Sequence, residues 1–341
     1  MSGINAKPKV LVTGVTGFLG SRIAALLLDR GYDVRGSLRS MARADEIARA
    51  IRSQHGAKDG DLDFVEADLM HDAGWHEAAA GCTYAIHVAS PFSSALPKHE
   101  DDMIVPAREG ALRLLKAAKD AGVRRVVLTS STAAITYGTG TPPYDEEDWS
   151  DVANPLCTPY YKSKTLAERA AWDFARANGL ELAVINPGLI LGPMMERDYS
   201  PSIEAVRKLL NGAYPGTPRF AFPIVDVRDV AEAHVRAMTE PAAVGERFIV
   251  GGPSLWFREI AAILRQAYPE RARKIPKRDL PDWLMRFVSL FDPVVRAVIG
   301  DLGRDVRVSG NKARSVLKLE YRPVDQTIRD TAASLIELGL A

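Results

Sequence analysis

The chain has 341 residues, 47% of them hydrophobic, with 44 Lys and Arg against 43 Asp and Glu for a formal net charge of +1. That length accommodates one large or two closely packed domains, and the even charge argues against a nucleic-acid-binding or membrane-surface protein. Residues 1–8 hold no apolar signal-peptide core, no apolar run reaches spanning length, and the distant Cys82 and Cys157 and the six His show no ligand-like spacing. These features predict a cytoplasmic protein without a metal.

Strand-like and helix-like patterns alternate through the first half. Strands are predicted at 10–13, 32–38, 62–66, 84–88, 125–129 and 181–185, and helices at 18–30, 42–53, 75–80, 101–121 and 159–178. Alternation with short connections predicts an α/β chain, a Rossmann-type doubly wound parallel sheet with helices on both faces. After Pro193 the pattern changes, with Pro and Gly crowding 201–223. Helices are predicted again at 227–238, 256–267, 281–299 and 324–338, and a strand at 247–250 returns to the sheet. The expected division is a nucleotide-binding domain, 1–193 plus 225–252, and a smaller, mostly helical substrate lobe, 194–224 and 253–341. A small substrate would sit in the cleft between them. The apolar residues Trp283, Leu284, Met285, Phe287, Val288, Leu290 and Phe291 read first as core packing at helical spacing, and second as a surface for an apolar substrate or partner.

The first strand runs into Gly14, Gly17 and Gly20 and then directly into a helix. Each glycine has a distinct use: Gly14 for a tight turn, Gly17 for close approach to a pyrophosphate, Gly20 for close packing of the helix. The helix then points its positive end at the phosphates. Cofactor-contacting positions on this turn are Gly14, Thr16, Gly17, Phe18 and Leu19. Alone, such a turn also serves as a plain strand–helix loop. The second strand ends without the carboxylate of an NAD site; Arg39 stands there instead, suited to a 2′-phosphate, with Arg35 and Arg43 close in sequence. NADPH is therefore expected over NADH. Asp68 and Leu69 follow strand three, either to receive an adenine or to cap a helix. Val88, Ala89 and Ser90 close strand four with small side chains beside the phosphate turn.

Ser131 ends strand five, and Tyr160 and Lys164 stand four residues apart at the start of a predicted helix, on one face. An ammonium beside a phenol favours the phenolate and lowers its pKa. Ser131 can hold a carbonyl oxygen against the Tyr160 hydroxyl while a nicotinamide supplies hydride and Tyr160 the proton. Lys164 also reaches the ribose hydroxyls. Tyr161 is no rival within this spacing, because Thr165 stands four residues later. His87 and His234 are read as packed, structural histidines.

The three-residue glycine spacing, the Thr13-Gly14 to Gly20 turn, and Tyr160 with Lys164 resemble the extended short-chain dehydrogenases/reductases. More narrowly, the chain is similar to the dihydroflavonol 4-reductase-like group, which includes plant dihydroflavonol and cinnamoyl-CoA reductases and microbial carbonyl and aldehyde reductases. Further marks are Ala67-Asp68-Leu69, His87-Val88-Ala89-Ser90-Pro91, Ser163-Lys164-Thr165-Leu166-Ala167-Glu168 and Gly192-Pro193. The resemblance implies that Arg39 binds the 2′-phosphate and that Ser131, Tyr160 and Lys164 are the catalytic set. It implies that Pro187, Gly188, Leu189 and Ile190 line the nicotinamide and that Ser202 lies near the cofactor. Two departures count against the plant substrates. Thr136 occupies the place of a substrate-side Asn, and the cinnamoyl-CoA pattern gives way to Thr158-Pro159-Tyr160-Tyr161-Lys162. Glu46 falls near the place of a second basic phosphate ligand. The implied protein is an NADP(H)-dependent reductase of a small-molecule carbonyl, as monomer or homodimer, with no nucleic-acid or membrane partner. The other readings are an NAD-dependent nucleotide-sugar epimerase or dehydratase, and a non-enzymatic NADP-binding sensor.

Overall fold

A computed structural model describes residues 7–55, 62–90, 97, 99–195, 197 and 200–341; residues 1–6 and Pro91 lie outside the described residues. The chain runs β1 (Lys9–Thr13), α1 (Phe18–Asp29), β2 (Asp33–Leu38), α2 (Ala44–His55), β3 (Leu62–Glu66), α3 (Trp75–Ala79), β4 (Tyr84–His87), α4 (Asp101–Asp120), β5 (Arg125–Thr129), α5 (Pro159–Asn178) and β6 (Glu181–Pro187). It continues through β7 (Leu189–Leu191), α6 (Pro201–Leu210), β8 (Ala221–Asp226), α7 (Val227–Thr239), β9 (Arg247–Val250), β10 (Ser254–Trp256), α8 (Phe257–Ala267), α9 (Asp282–Val288), α10 (Pro293–Val298), α11 (Asn311–Val316) and α12 (Val324–Glu337).

Seven strands form one parallel sheet in the order β3-β2-β1-β4-β5-β6-β9. The order reverses between β1 and β4, so the crevice at their C-terminal ends is the switch point where ligands of such sheets bind. Alternate residues of one strand feed opposite cores. Val10, Val12 and Val127 join α1 and α7 on one face, while Leu11, Val126 and Leu128 join α3, α4 and α5 on the other. Burial on both faces explains why these strands read as continuous apolar runs.

A third buried cluster gathers Leu191, Ile203, Phe220, Ile224, Phe257, Leu264 and Ile328 around α6, α8, α12 and a small sheet of order β10-β8-β7. This sheet was not legible in the sequence. β7 and β10 are three residues each, too short for a period, and Pro223 inside β8 argues locally against a strand. α6 was hidden by Pro201, which occupies the first helical turn, where proline fits.

The helix predicted over 281–299 is broken into α9 and α10. Pro293 donates no hydrogen bond and disfavours a helical residue before it, and Asp292 Oδ1 accepts from Val295 N at 3.2 Å to start α10. Core packing of the apolar stripe holds for Met285 and fails for its neighbours. Trp283, Phe287, Leu290 and Phe291 are 69%, 56%, 64% and 74% exposed. Met285 points into the third core, and helical geometry therefore turns Trp283, Phe287 and Leu290 outward. Among the described residues, no helix is long and apolar enough to cross a membrane.

Candidate active site

The glycine turn after β1 is shaped by close backbone approaches. Gly14 has φ +65°, and a Cβ there would lie 2.9 Å from both Cα and N of Ala89. A Cβ on Gly20 would lie 2.2 Å from the Gly14 carbonyl oxygen, so the first turn of α1 packs directly on the loop. Gly17 is exposed, and its missing Cβ would meet only the Gly14 oxygen at 3.3 Å. It stands at the N-cap of α1 without a side-chain cap, and the first helical turn holds no acidic residue. The unpaired N–H groups of that turn, beside Phe18 and Leu19, are thus left for an anion. Thr16 and Phe18 are half-buried, and Leu19 is in the core, so Leu19 can contribute only through its backbone. This cradle fits the diphosphate of a dinucleotide.

Thr13 ties the turn to β4. Its Oγ1 accepts from Val88 N and Ala89 N, each at 3.1 Å, and lies 2.8 Å from His87 Nδ1. With two N–H groups pointing at it, the hydroxyl gives its proton to Nδ1. The imidazole is therefore neutral, and burial, with the Lys164 charge nearby, brings it down to about 3. His234 is also buried and neutral, brought down to about 4, between Thr129 Oγ1 at 2.8 Å and the Val230 carbonyl at 2.7 Å. His87 ties β4 to β1, and His234 ties α7 to β5; both are buried from solvent.

Beyond β2, Arg39 is exposed, and among the described residues its side chain makes no hydrogen bond or ion pair. Its sequence neighbours are committed elsewhere. Arg35 binds Asp63 at 3.0 Å and the Ala80 carbonyl at 2.8 Å, and Arg43 pairs with Glu46 at 3.1 Å. Asp68 makes a local turn, its Oδ1 accepting from Met70 N at 2.9 Å, and Leu69 packs against Gly110 of α4.

Ser131, Tyr160 and Lys164 come together at the C-terminal ends of β4 and β5. Ser131 follows β5 and accepts from Ala133 N at 3.1 Å, and its side chain stands near enough to the Tyr160 phenol to favour the phenolate. Lys164 lies one helical turn on, its Nζ 6.0 Å from the Tyr160 ring centroid and 2.9 Å from Ser90 Oγ. The expected lowering of the phenol's pKa is not what the fold itself produces. Burial pushes Tyr160 up, and the Ser131 side chain opposes it. Lys164 donates to Ser90 rather than to the phenol, and burial brings it down to about 8, with Glu168 opposing. A cavity of about 210 Å³ lined by Pro218, Arg219, Trp256, Arg258 and Asp279 shares no residue with this cluster.

Behind Lys164 lies a buried polar network with no counterpart in the sequence reading. Glu168 accepts from Ser130 Oγ at 2.5 Å, Asn186 Nδ2 at 2.8 Å and Arg247 Nε at 2.5 Å. Asn186 also donates to the Ser131 carbonyl at 3.2 Å. Glu168 thus links both hydroxyl-bearing segments and holds a negative charge one turn from Lys164. Its spacing of four from Lys164 was the available signal; Asn186 and Arg247 carried none. On the other side, Gly188 N donates to the Val250 carbonyl at 3.0 Å, Leu189 and Ile190 lie in β7, and Ser202 Oγ donates to the Ile190 carbonyl at 2.6 Å. Pro187 ends β6.

Residues 10–251 match the NAD dependent epimerase/dehydratase family. The chain belongs to this family. Within it, the chain is an extended short-chain dehydrogenase/reductase, as the glycine turn and the Tyr160–Lys164 pair led one to expect. A relative from Medicago truncatula, cinnamoyl-CoA reductase CAD2, is 33% identical over 350 aligned positions, covering 100% of this chain and 99% of that protein. Dihydroflavonol 4-reductase of Zea mays is 34% identical, covering 79% of this chain and 77% of the relative. Among solved structures, yeast methylglyoxal/isovaleraldehyde reductase Gre2 complexed with NADPH superposes with a TM-score of 0.79 at 27% identity, over 98% of this chain and 100% of that one. The family's seven-stranded frame accounts for the placement of the site at the switch point.

Proposed function

We propose that the protein reduces a ketone or aldehyde to an alcohol, reversibly, with Tyr160 as the proton donor. The observation that carries this reading is the meeting of Ser131, Tyr160 and Lys164 at the C-terminal ends of β4 and β5, with Lys164 Nζ 6.0 Å from the Tyr160 ring centroid. The chain is an NADP-dependent oxidoreductase acting on CH–OH groups, as its reductase relatives indicate.

The cofactor would be held by Gly14, Thr16, Gly17, Phe18 and Leu19 at the diphosphate, and by Arg39 at the 2′-phosphate. Asp68 and Leu69 would take the adenine, and Val88, Ala89, Ser90, Pro187, Gly188, Leu189, Ile190 and Ser202 the inner half. NADPH, when bound, supplies the hydride. Ser131 holds the carbonyl oxygen of the substrate, and Tyr160 gives that oxygen its proton. Lys164 exchanges Ser90 for the ribose hydroxyls, and its ammonium then favours the phenolate that remains. Thr13 and the neutral His87 hold the β4 end rigid against the glycine turn.

The third core supports a division into a nucleotide-binding domain, 1–193 with 225–252, and a substrate-binding lobe, 194–224 with 253–341. Free, buried Cys82 and Cys157 suit a cytoplasmic location. Tyr160→Phe tests the reading. It should lower kcat about a thousandfold against a panel of aromatic aldehydes, α-ketoesters and diketones while NADPH still binds. Near-normal turnover would reject the proton-donor role.

A further inference from the structure

The proton transfer above leaves unexplained what steadies the helix start that carries Tyr160. Thr158, at the N-cap of α5, makes no side-chain cap hydrogen bond. An uncapped first turn frays, yet this one must hold the Tyr160 hydroxyl against Ser131.

The restraint comes from far along the chain. Asp301 is 1% exposed, in the short turn Ile299–Asp301 after α10. Its Oδ2 accepts from the Tyr161 hydroxyl at 2.7 Å, and its Oδ1 from the Tyr137 hydroxyl at 2.5 Å. Tyr161 is next to Tyr160 in the first turn of α5, and Tyr137 lies on the segment that follows Ser131. One carboxylate therefore ties together the two segments that carry the reacting hydroxyls. Arg304 supplies the countercharge, 3.3 Å from Asp301 Oδ1. It also donates to the Thr136 carbonyl at 2.7 Å and lies 3.9 Å from the Tyr137 ring centroid. The three rings pack in sequence, Tyr137 on Tyr161 with centroids 4.4 Å apart and Tyr161 against Tyr160 at 5.9 Å.

We propose that Asp301 is a positioning residue for the reaction: by binding Tyr161 and Tyr137 together, it sets the Tyr160 hydroxyl against Ser131 and makes turnover depend on the docking of the 299–304 segment. This rests on the reductase reading. It also gives Tyr161 a use, since it is the arm through which a distant carboxylate reaches the proton donor. Buried charge of this kind is poorly justified by stability alone, whereas misplacement of a reacting group by a fraction of an ångström is costly in rate.

Tyr161→Phe removes the hydroxyl and keeps the ring. It should lower kcat about tenfold, leave the Kd for NADPH within about twofold, and speed amide hydrogen exchange at residues 160–163 of the NADPH-bound protein. Asp301→Asn, with one acceptor oxygen in place of two, should give the same split between kcat and NADPH binding. Adding Tyr161→Phe to it should cost little more, because the shared contact is already weakened. Should Asp301→Asn fail to fold, Tyr161→Phe decides alone. A kcat within about twofold of wild type, or unchanged exchange at 160–163, overturns the proposal. A wild type that reduces no carbonyl in the panel refutes the reductase reading instead. Exchange in Tyr161→Phe then decides the tether by itself: faster exchange upholds it and unchanged exchange rejects it.

Discussion

Two helix starts frame the site, and neither has a side-chain cap. The start of α1 is bare. Its geometry comes from Gly14, Gly17 and Gly20, all within seven residues, and its free N–H groups face outward for an anion. The start of α5 is crowded. Tyr161 is held by Asp301 across 140 residues of sequence, and Ser163 and Thr165 hydroxyls donate to the Tyr160 and Tyr161 carbonyls at 2.8 Å each. An uncapped helix end can thus be a binding site or a liability. The difference is whether its orphan groups are meant for a ligand or its side chains are meant for chemistry.

The largest effect should come from the crowded side. Glu168→Ala leaves Arg247 buried without its carboxylate, at a cost of about 3–5 kcal/mol, read as a lower midpoint in urea. It should also lower kcat, because Ser130 and Asn186 lose their shared acceptor beside Ser131. Retained stability would show that the network is not a unit. On the bare side, Gly20→Val meets backbone that cannot move, 2.2 Å away. It should cost about 1–3 kcal/mol and abolish NADPH binding measured by fluorescence, whereas intact binding would mean the turn can open.

Smaller effects sharpen the contrast. Arg39→Ala should weaken NADPH about tenfold or more, with little change for NADH, since a charge-assisted pair contributes about 1.5–3 kcal/mol. Equal weakening of both in titration would sink the 2′-phosphate assignment. The gentlest test is pH. Lys164 is brought from 10.5 down to about 8 by burial. Between those values the unfolded chain holds this proton more firmly than the folded one, so this group's contribution to stability rises with pH across that window. Binding runs the other way. The ammonium is lost above about pH 8, so NADPH affinity should decline there in wild type, and should stay low and level in Lys164→Met.

Legibility followed the same line. Glycines at fixed offsets, a phenol and an amine four apart on one helix face, and runs of Val, Leu and Ile are local patterns. They placed the turn, the Tyr160–Lys164 pair and all seven strands of the large sheet. Glu168 was within reach as the next residue on that face. The small sheet of β7, β8 and β10 was not, because a three-residue strand has no period and Pro223 masks its neighbour. The outward face of α9 was also misread: an apolar stripe at helical spacing is the same string whether a core or solvent lies over it, and here only Met285 found a core.

Chain order and residue type were enough to settle the fold class and to single out the glycine turn and the Tyr160–Lys164 pair, since each depends on bonds and spacings of a few residues. The protonation of those groups required the folded chain. Lys164 loses part of its hold on a proton, and Tyr160 gains one, because neighbours from β4, β5 and α5 strip water from them. The meeting of Asp301 with Tyr137 and Tyr161 is of the same kind: a contact between residues with no common period exists only once the packed elements bring them to one point.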